Sequence, residues 1–218
     1  MRRAIAVVIV ATLTACNGAT EVTTITVGEG AESPVAAVED LRSSLAAGDF
    51  DAAGSLAVPG QAVLATLAEG ASAAVVADAL EDGDGEIAAN FWSGFAQGVG
   101  EAFTGELAVE DAGSTAESGV EFFVVGVTPE GGTERLMVTR DLEGHRIDLF
   151  ASFGAGLAEG MISPVELLLG SSSEASREVL GALQDVVPSL LVAATDPSLS
   201  PEAVQRILQL VELITRIG

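Results

Sequence analysis

The chain has a single cysteine, Cys16, among its 218 residues. No intramolecular disulfide is possible, so the fold must be held by packing. It has one histidine, His145, and no lysine: all nine basic residues are arginine, against 32 Asp and Glu, for a formal charge of −23. Such a surface repels phosphate backbones and argues against a nucleic-acid partner. The acids are spread along the whole chain, which reads as solubility or adaptation to a salty medium rather than an acidic binding patch. One histidine and one cysteine leave a transition metal without a ligand set. The acidic run "EDGDGE" at 81–86 is no calcium loop, because counting from Asp82 puts Glu86 fifth, Ile87 sixth and Ser93 twelfth. G-x-S-x-G is absent, and no glycine loop precedes a helix in phosphate-binding form. No cofactor is expected.

What is present begins at the N-terminus, "MRRAIAVVIVATLTACNG". Arg2 and Arg3 form a positive head, Ala4 to Leu13 is an apolar run broken only by Thr12, and small residues follow. This is the layout of a secretory signal peptide. The run is about half of the ~20 residues a membrane-spanning helix needs. Leu13-Thr14-Ala15-Cys16 resembles the lipobox of bacterial lipoproteins. The resemblance implies removal of residues 1–15, a diacylglyceryl group on the Cys16 thiol, and a mature chain moored to the membrane on the extracytoplasmic side of a cell envelope. The alternative is an ordinary signal peptide with an incidental cysteine. One acyl chain holds only marginally at about 0.8 kcal/mol per buried CH₂, so two chains on one residue make retention stable without a basic patch. Losing Arg2 and Arg3 leaves a mature body of about 200 residues, two charge units more negative, large enough for one domain with a real core. Residues 16–33 are small, polar and glycine-containing and read as a tether, although "TTITV" has the composition of a strand.

From Ser33 the pattern is helical. Ser33-Pro34 supplies a capping hydroxyl and a first-turn proline, and Val35, Val38, Leu41 and Leu45 recur at helical spacing. Gly48 stops this helix and Asp49 caps a second. Further helices are predicted at about 61–69 and 72–80, and over "EIAANFWSGFAQGVGEAF", where Gly94 and Gly98 leave a smooth strip for close approach of another element. From 104 the period changes to two. "GELAVED", "GVEFFVVGV", "ERLMVTRDL" and "HRIDLFASF" read as four strands of an antiparallel meander, the last with Ile147, Leu149, Ala151 and Phe153 on one face. After Gly154 helices return: one starting at Ser163-Pro164 and ending at Gly170, one capped by Ser173 that reaches Ala194 with a bend at Pro188, and an amphipathic one after Ser200. Helices, then an antiparallel sheet, then helices make an α+β domain, with the N-terminal helices on a curved sheet of about four strands.

The stretches "SPVAAVEDLRSSLAAGDFDAAGSLA" and "RDLEGHRIDLF" together resemble the nuclear-transport-factor-2-like fold in its bacterial envelope lipoprotein versions. In that family a helix passes through a Gly-Asp turn into a second helix, and a curved sheet later wraps around the helices as a cone. Its late-strand pattern stands here as Glu143-Gly144-His145-Arg146-Ile147-Asp148, with His145 where an aromatic is common. The resemblance covers 34–154. Residues 155–218 fall outside it and read as a helical extension packed on the same core.

Seven of the eight phenylalanines and the only tryptophan fall between 91 and 153. Phe91, Trp92, Phe95, Phe122 and Phe150 are candidates to line an apolar ligand pocket, or to fill a core. The enzyme reading, an isomerase or dehydratase type of acid–base chemistry in the cone, rests on His145, because the resemblance implies a His/Asp pair in some members. Asp148 has the wrong strand parity to meet His145, and Asp141, across the turn, is the better partner. The favoured reading is a non-catalytic binding or accessory protein whose partners are the membrane, through Cys16, and a small apolar ligand or an envelope protein.

Overall fold

The computed structural model describes residues 30–82, 85–99, 107–130, 132 and 134–216. Residues 1–15, Cys16 and most of the 16–33 segment lie outside the described residues.

The first helices start and stop where their capping residues dictate. In α1 (Pro34–Ala47) Ser33 Oγ accepts from the Ala36 N–H at 3.1 Å, and Ala37, Val38, Leu41 and Leu45 are buried. Gly48 ends it in the left-handed region at φ +71. Asp49 then caps α2 (Phe50–Ser55), accepting from the Ala52 N–H at 3.0 Å. α3 (Gln61–Ala65) continues into a 3₁₀ turn at Thr66–Glu69, followed by α4 (Ala73–Asp82) and α5 (Gly85–Val99).

Four strands follow: β1 (Leu107–Glu117), β2 (Val120–Pro129), β3 (Arg135–Asp141) and β4 (His145–Ile147). They form one antiparallel sheet in sequence order. Directly paired residues share a face. The register Val125↔Met137 and Thr139↔Ile147 therefore puts Val125, Met137 and Ile147 on one side, within the main core. Helix α1 touches all four strands. The other side carries Phe122 and Val138, which meet Ala151 and Val192 from the C-terminal helices. A strand covered on both sides explains the unbroken apolar run of "GVEFFVVGV". The molecule is thus α+β, with helices before and after a single four-stranded antiparallel sheet.

The strand expected through Phe153 stops at Ile147. Asp148 instead caps α6 (Leu149–Leu169), a 21-residue helix in which Leu149, Phe150, Ala151, Gly154, Ala158, Met161, Val165 and Leu168 are buried. The Asp148 side chain, held by Gln61 and Ser189, accepts from the Ala151 N–H and so starts a helix where the alternation alone suggests more strand. The helix start expected at Ser163-Pro164 is likewise interior to α6. Proline removes one backbone hydrogen bond, but Met161, Val165 and Leu168 carry the buried stripe across it. The single bent helix expected from Ser173 to Ala194 is two, α7 (Glu174–Gln184) and α8 (Val187–Ala193), with Pro188 in the first turn of the second. α9 (Pro201–Thr215) is capped by Ser200 and buries Ile207, Leu210, Leu213 and Ile214.

Helix α6 is the spine of the C-terminal half, touching the 3₁₀ turn, α7, α8 and α9. Its glycines permit this. A Cβ on Gly154 would lie 2.8 Å from the Ala193 Cβ, and one on Gly160 would lie 2.7 Å from the Ala68 Cβ and 2.9 Å from the Ala68 carbonyl oxygen. The close approaches expected at Gly94 and Gly98 are not there: a Cβ at Gly98 meets nothing within 4 Å, and one at Gly94 meets only Glu69 Oε1 at 3.7 Å. The N-terminal segment is docked earlier than the expected tether boundary. The Ala31 N–H donates to the His145 carbonyl at 3.0 Å, and the His145 N–H donates to the Ala31 carbonyl at 2.8 Å. Gly30 and Gly144 pass so closely that a Cβ on Gly30 would sit 2.6 Å from a Gly144 backbone atom.

Two glycine substitutions separate packing from backbone entropy. Gly160→Ala is expected to destabilise the protein by about 1–3 kcal/mol through overpacking against Ala68. Gly181→Ala, in α7 where an added Cβ meets nothing within 4 Å, is expected to stabilise by about 0.5–1 kcal/mol through helix propensity. Urea denaturation of the two variants measures both signs.

Candidate binding site

Two features in the fold combine polar chemistry with an unusual environment: a buried carboxylate at the start of α6 and a cleft beside β3.

Asp148 is fully buried, at 0 % exposure. Its Oδ1 accepts from the Ala151 N–H at 2.9 Å, as an N-cap does, and from Gln61 Nε2 at 3.1 Å. Its Oδ2 accepts from Ser189 Oγ at 2.7 Å. Gln61 is itself buried, and its Oε1 accepts from the Leu149 N–H at 2.6 Å. Arg140 Nη1 stands 3.9 Å from Asp148 Oδ2, too far for a hydrogen bond, and its guanidinium lies over the Phe122 ring at 5.9 Å. Burial pushes the Asp148 carboxyl above its ordinary range, outweighing the lowering by Ser189, Ala151, Gln61 and, last, Arg140. The cluster joins α3, β3, α6 and α8. With no exposure it has no route to a substrate, and its work is structural.

His145 does not join it. Its ring meets Phe123 edge-on at 4.9 Å, and its Nδ1 is buried with no hydrogen-bond partner among the described residues. Asp141 is its register partner in β3, but the Asp141 Oδ1 accepts from the Gly144 N–H at 3.2 Å. No hydrogen bond or ion pair links His145 to Asp141 or Asp148 among the described residues, so nothing there orients the imidazole as a base requires.

The five aromatic candidates do not surround one space. Phe91, Trp92 and Phe95 stack along α5 with centroids 5.3–5.8 Å apart, and Phe95 meets Phe153 of α6 at 4.9 Å. Phe91, Trp92 and Phe150 are buried in the main core, with Phe95 packed against it. Phe122 belongs to the smaller cluster on the other side of the sheet.

The cleft lies elsewhere. It has a volume of about 300 Å³ and opens between the end of β2, the start of β3, the first turns of α6 and the loop between α8 and α9. Val127, Pro129, Leu136, Met137, Phe153 and Leu199 give it apolar walls, while Arg135, Ser152, Asp196 and Ser198 supply polar groups. Asp196 Oδ1 is turned to the Ser198 N–H at 2.8 Å. A cavity of this size, mostly apolar with a few polar residues in its lining, has the character of a small binding site. None of the five aromatic candidates lines it. Its residues run from 127 to 199, and no motif joins them, so sequence reading offered no signal beyond Phe153. A second recess of about 320 Å³, around Leu67, Ala73, Pro164 and Leu168, lies beside Leu167, which is 76 % exposed.

Comparison with known protein-family models, curated proteins and solved structures finds no match to this chain.

The Asp148 cluster sets a pH dependence. Its carboxyl titrates higher folded than the unfolded value of 3.8, so between the two values the folded chain holds a proton the unfolded chain has lost. The stability it contributes is full below 3.8 and is lost as pH rises through the folded value. Asp148→Asn retains an oxygen for the Ala151 N–H and removes the titrating carboxyl. Urea denaturation across pH is expected to show wild-type stability falling relative to the variant over that window; parallel curves would mean Asp148 does not titrate there.

Proposed function

We propose that this chain is a lipid-anchored binding or accessory protein on the extracytoplasmic side of a bacterial cell envelope, non-catalytic, with the cleft beside β3 as its binding site. The observation that carries the binding role is that cleft: apolar walls, polar groups at its rim, and access to solvent. Of the acid–base candidates, His145 has no carboxylate bonded to its ring among the described residues, and Asp141, its expected partner, is committed to its own turn. The anchor rests on the charged head, apolar run and lipobox-like Leu13-Thr14-Ala15-Cys16. The resemblance to nuclear-transport-factor-2-like envelope lipoproteins, carried by the Gly48-Asp49 turn between α1 and α2 and by Glu143 to Asp148, agrees with this reading. An acidic body without a basic patch repels anionic headgroups and depends on its acyl chains for retention.

The expected results are specific. The protein isolated from membranes should begin at Cys16 with a diacylglyceryl mass added. Cys16→Ser should move it from the detergent to the aqueous phase on detergent partitioning, whereas full-length chain without lipid mass contradicts the anchor. For the cleft, the fluorescent probe 1-anilinonaphthalene-8-sulfonate should bind saturably to the full-length protein. Gly156→Phe should abolish that signal with an unchanged circular-dichroism spectrum, because a Cβ at Gly156 meets nothing within 4 Å and the residue lines the cleft. Equal dye binding by the variant would move the site elsewhere.

A further inference from the structure

We infer that the natural occupant of the cleft is a short extended segment of another polypeptide, taken up by strand addition to the open edge of β3 and carrying a carboxylate next to Arg135. This rests on the cleft being the binding site. It goes further by fixing the class of ligand through groups that an apolar small molecule would leave unused.

The edge of the sheet at β3 is only partly covered. Along a strand, alternate residues turn their backbone N–H and C=O to opposite edges. Val138 marks the edge of β3 that faces away from β2. Its N–H donates to Ser152 Oγ at 2.9 Å, and its carbonyl accepts from the Asp148 N–H at 2.8 Å and from Ser152 Oγ at 3.2 Å. These partners lie on the side away from β2. Leu136, two residues earlier, turns its N–H and C=O the same way, and it lines the cleft. In a longer sheet β4 would pair there, but β4 ends at Ile147, opposite Thr139. The chain then leaves the sheet plane as α6. Among the described residues, neither α6 nor the loop at 196–199 sends a hydrogen bond to the Leu136 backbone. Among the described residues the edge is therefore open where the cleft is apolar, the combination that strand addition uses: backbone pairing for affinity and a pocket for alternate side chains. Ser152 closes the edge at Val138, so the occupant is short and stops at α6.

Arg135, adjacent to Leu136, is exposed at the cleft and makes no ion pair among the described residues. In a chain of formal charge −23, an unpaired guanidinium beside an apolar cleft is complementary to an anionic group on the ligand, and its planar fork matches a carboxylate. Asp196 also lines the cleft and keeps its negative charge while its Oδ1 accepts from the Ser198 N–H, so the ligand's carboxylate belongs at Arg135 and away from that loop. The carboxylate is either an acidic side chain or a chain terminus.

The test uses the full-length protein and a library of N-acetyl tetrapeptides that vary Val, Ile, Leu and Phe at the first three positions and end in Asp, each as free acid and as C-terminal amide. Displacement of the fluorescent dye reports binding. The best members should bind, should slow hydrogen exchange of the Leu136 amide about tenfold or more, and should lose about tenfold or more in affinity on N-methylation of the pairing amide. Arg135→Glu should weaken them similarly, and Gly156→Phe should abolish them. Comparing acid with amide forms tells a terminal from a side-chain carboxylate. Strand addition is overturned if binding survives N-methylation at every amide with Leu136 exchange unchanged. It is also overturned if decanoate displaces the dye and no peptide does, although the binding role of the cleft then stands. Absence of binding by dye and peptides alike overturns both.

Discussion

A carboxylate taken wholly out of water must have its oxygens satisfied, because the alternative costs several kcal/mol. Asp148 meets this demand with donors from three helices: the Ala151 N–H of α6, Gln61 of α3 and Ser189 of α8. The donors are not interchangeable, since Gln61 also uses its oxygen to hold the Leu149 N–H. The first turn of α6 is thereby tied from both sides of its cap. Everything C-terminal to the sheet is oriented from this point, since α6 carries α8 and α9 against it and reaches back through Gly160 to the 3₁₀ turn after α3. The carboxyl's raised titration follows from the same fact: hydrogen bonds reduce the penalty of burial without abolishing it.

The arginines divide between interior and surface. Arg146, buried in β4, donates to the Ser55 carbonyl at the end of α2, and Arg140 spreads its guanidinium over Phe122. Both sit where strands meet helices, and their flat, weakly hydrated heads suit partial burial better than an ammonium would. On the surface, Arg206 meets Glu159 at 2.9 Å and joins α9 to α6, while Arg216, just past the end of α9, meets Glu212 at 2.5 Å. Exposed pairs of this kind are worth little. Most acids among the described residues are exposed, so cohesion comes from the apolar core and the Asp148 cluster rather than from surface electrostatics.

What the sequence revealed was local. Ser33, Asp49, Ser173 and Ser200 cap the helices they were read to cap, because a cap is settled within four residues. The change from a period near 3.6 to a period of two located the sheet. The errors sit where two local readings agree with one string. Residues 145–153 alternate like a strand, yet Asp148 followed by Leu-Phe-Ala is equally a helix start, and only contacts with Gln61 and Ser189, 87 and 41 residues away, decide between them. Pro164 has the local character of a helix start because proline favours a first turn; the stripe that carries α6 through it is defined by partners distant in sequence. The aromatics are conspicuous as residue types, and they mostly fill core. The cleft was invisible for the opposite reason: it is made of ordinary residues from β2, β3, α6 and one loop, brought together by the fold.

The cleft and the buried carboxylate are two consequences of one event. Had β4 run on beyond Ile147, its backbone would have covered Leu136 and left no lane beside β3. By capping a helix at that point, Asp148 turns the chain out of the sheet and vacates the lane. Ser152, one turn into that helix, folds back to cap the nearest edge groups at Val138. An open edge is a hazard in any sheet, and the two edges of this one are handled differently. The outer strand β1 is broken by a bulge at Gly113 and presents exposed Glu110 and Asp111 with small neighbours, which discourages pairing along its length. On the β3 side most of the edge is covered by β4, Ser152 and the start of α6, leaving a gap at Leu136 that is short and walled by apolar residues. A gap of that length cannot nucleate an extended sheet between copies, but it can seat a short strand whose side chains find the walls. The exit of the chain from the sheet that shortens the uncovered edge also walls it, with Phe153 of α6 and Leu199 of the following loop.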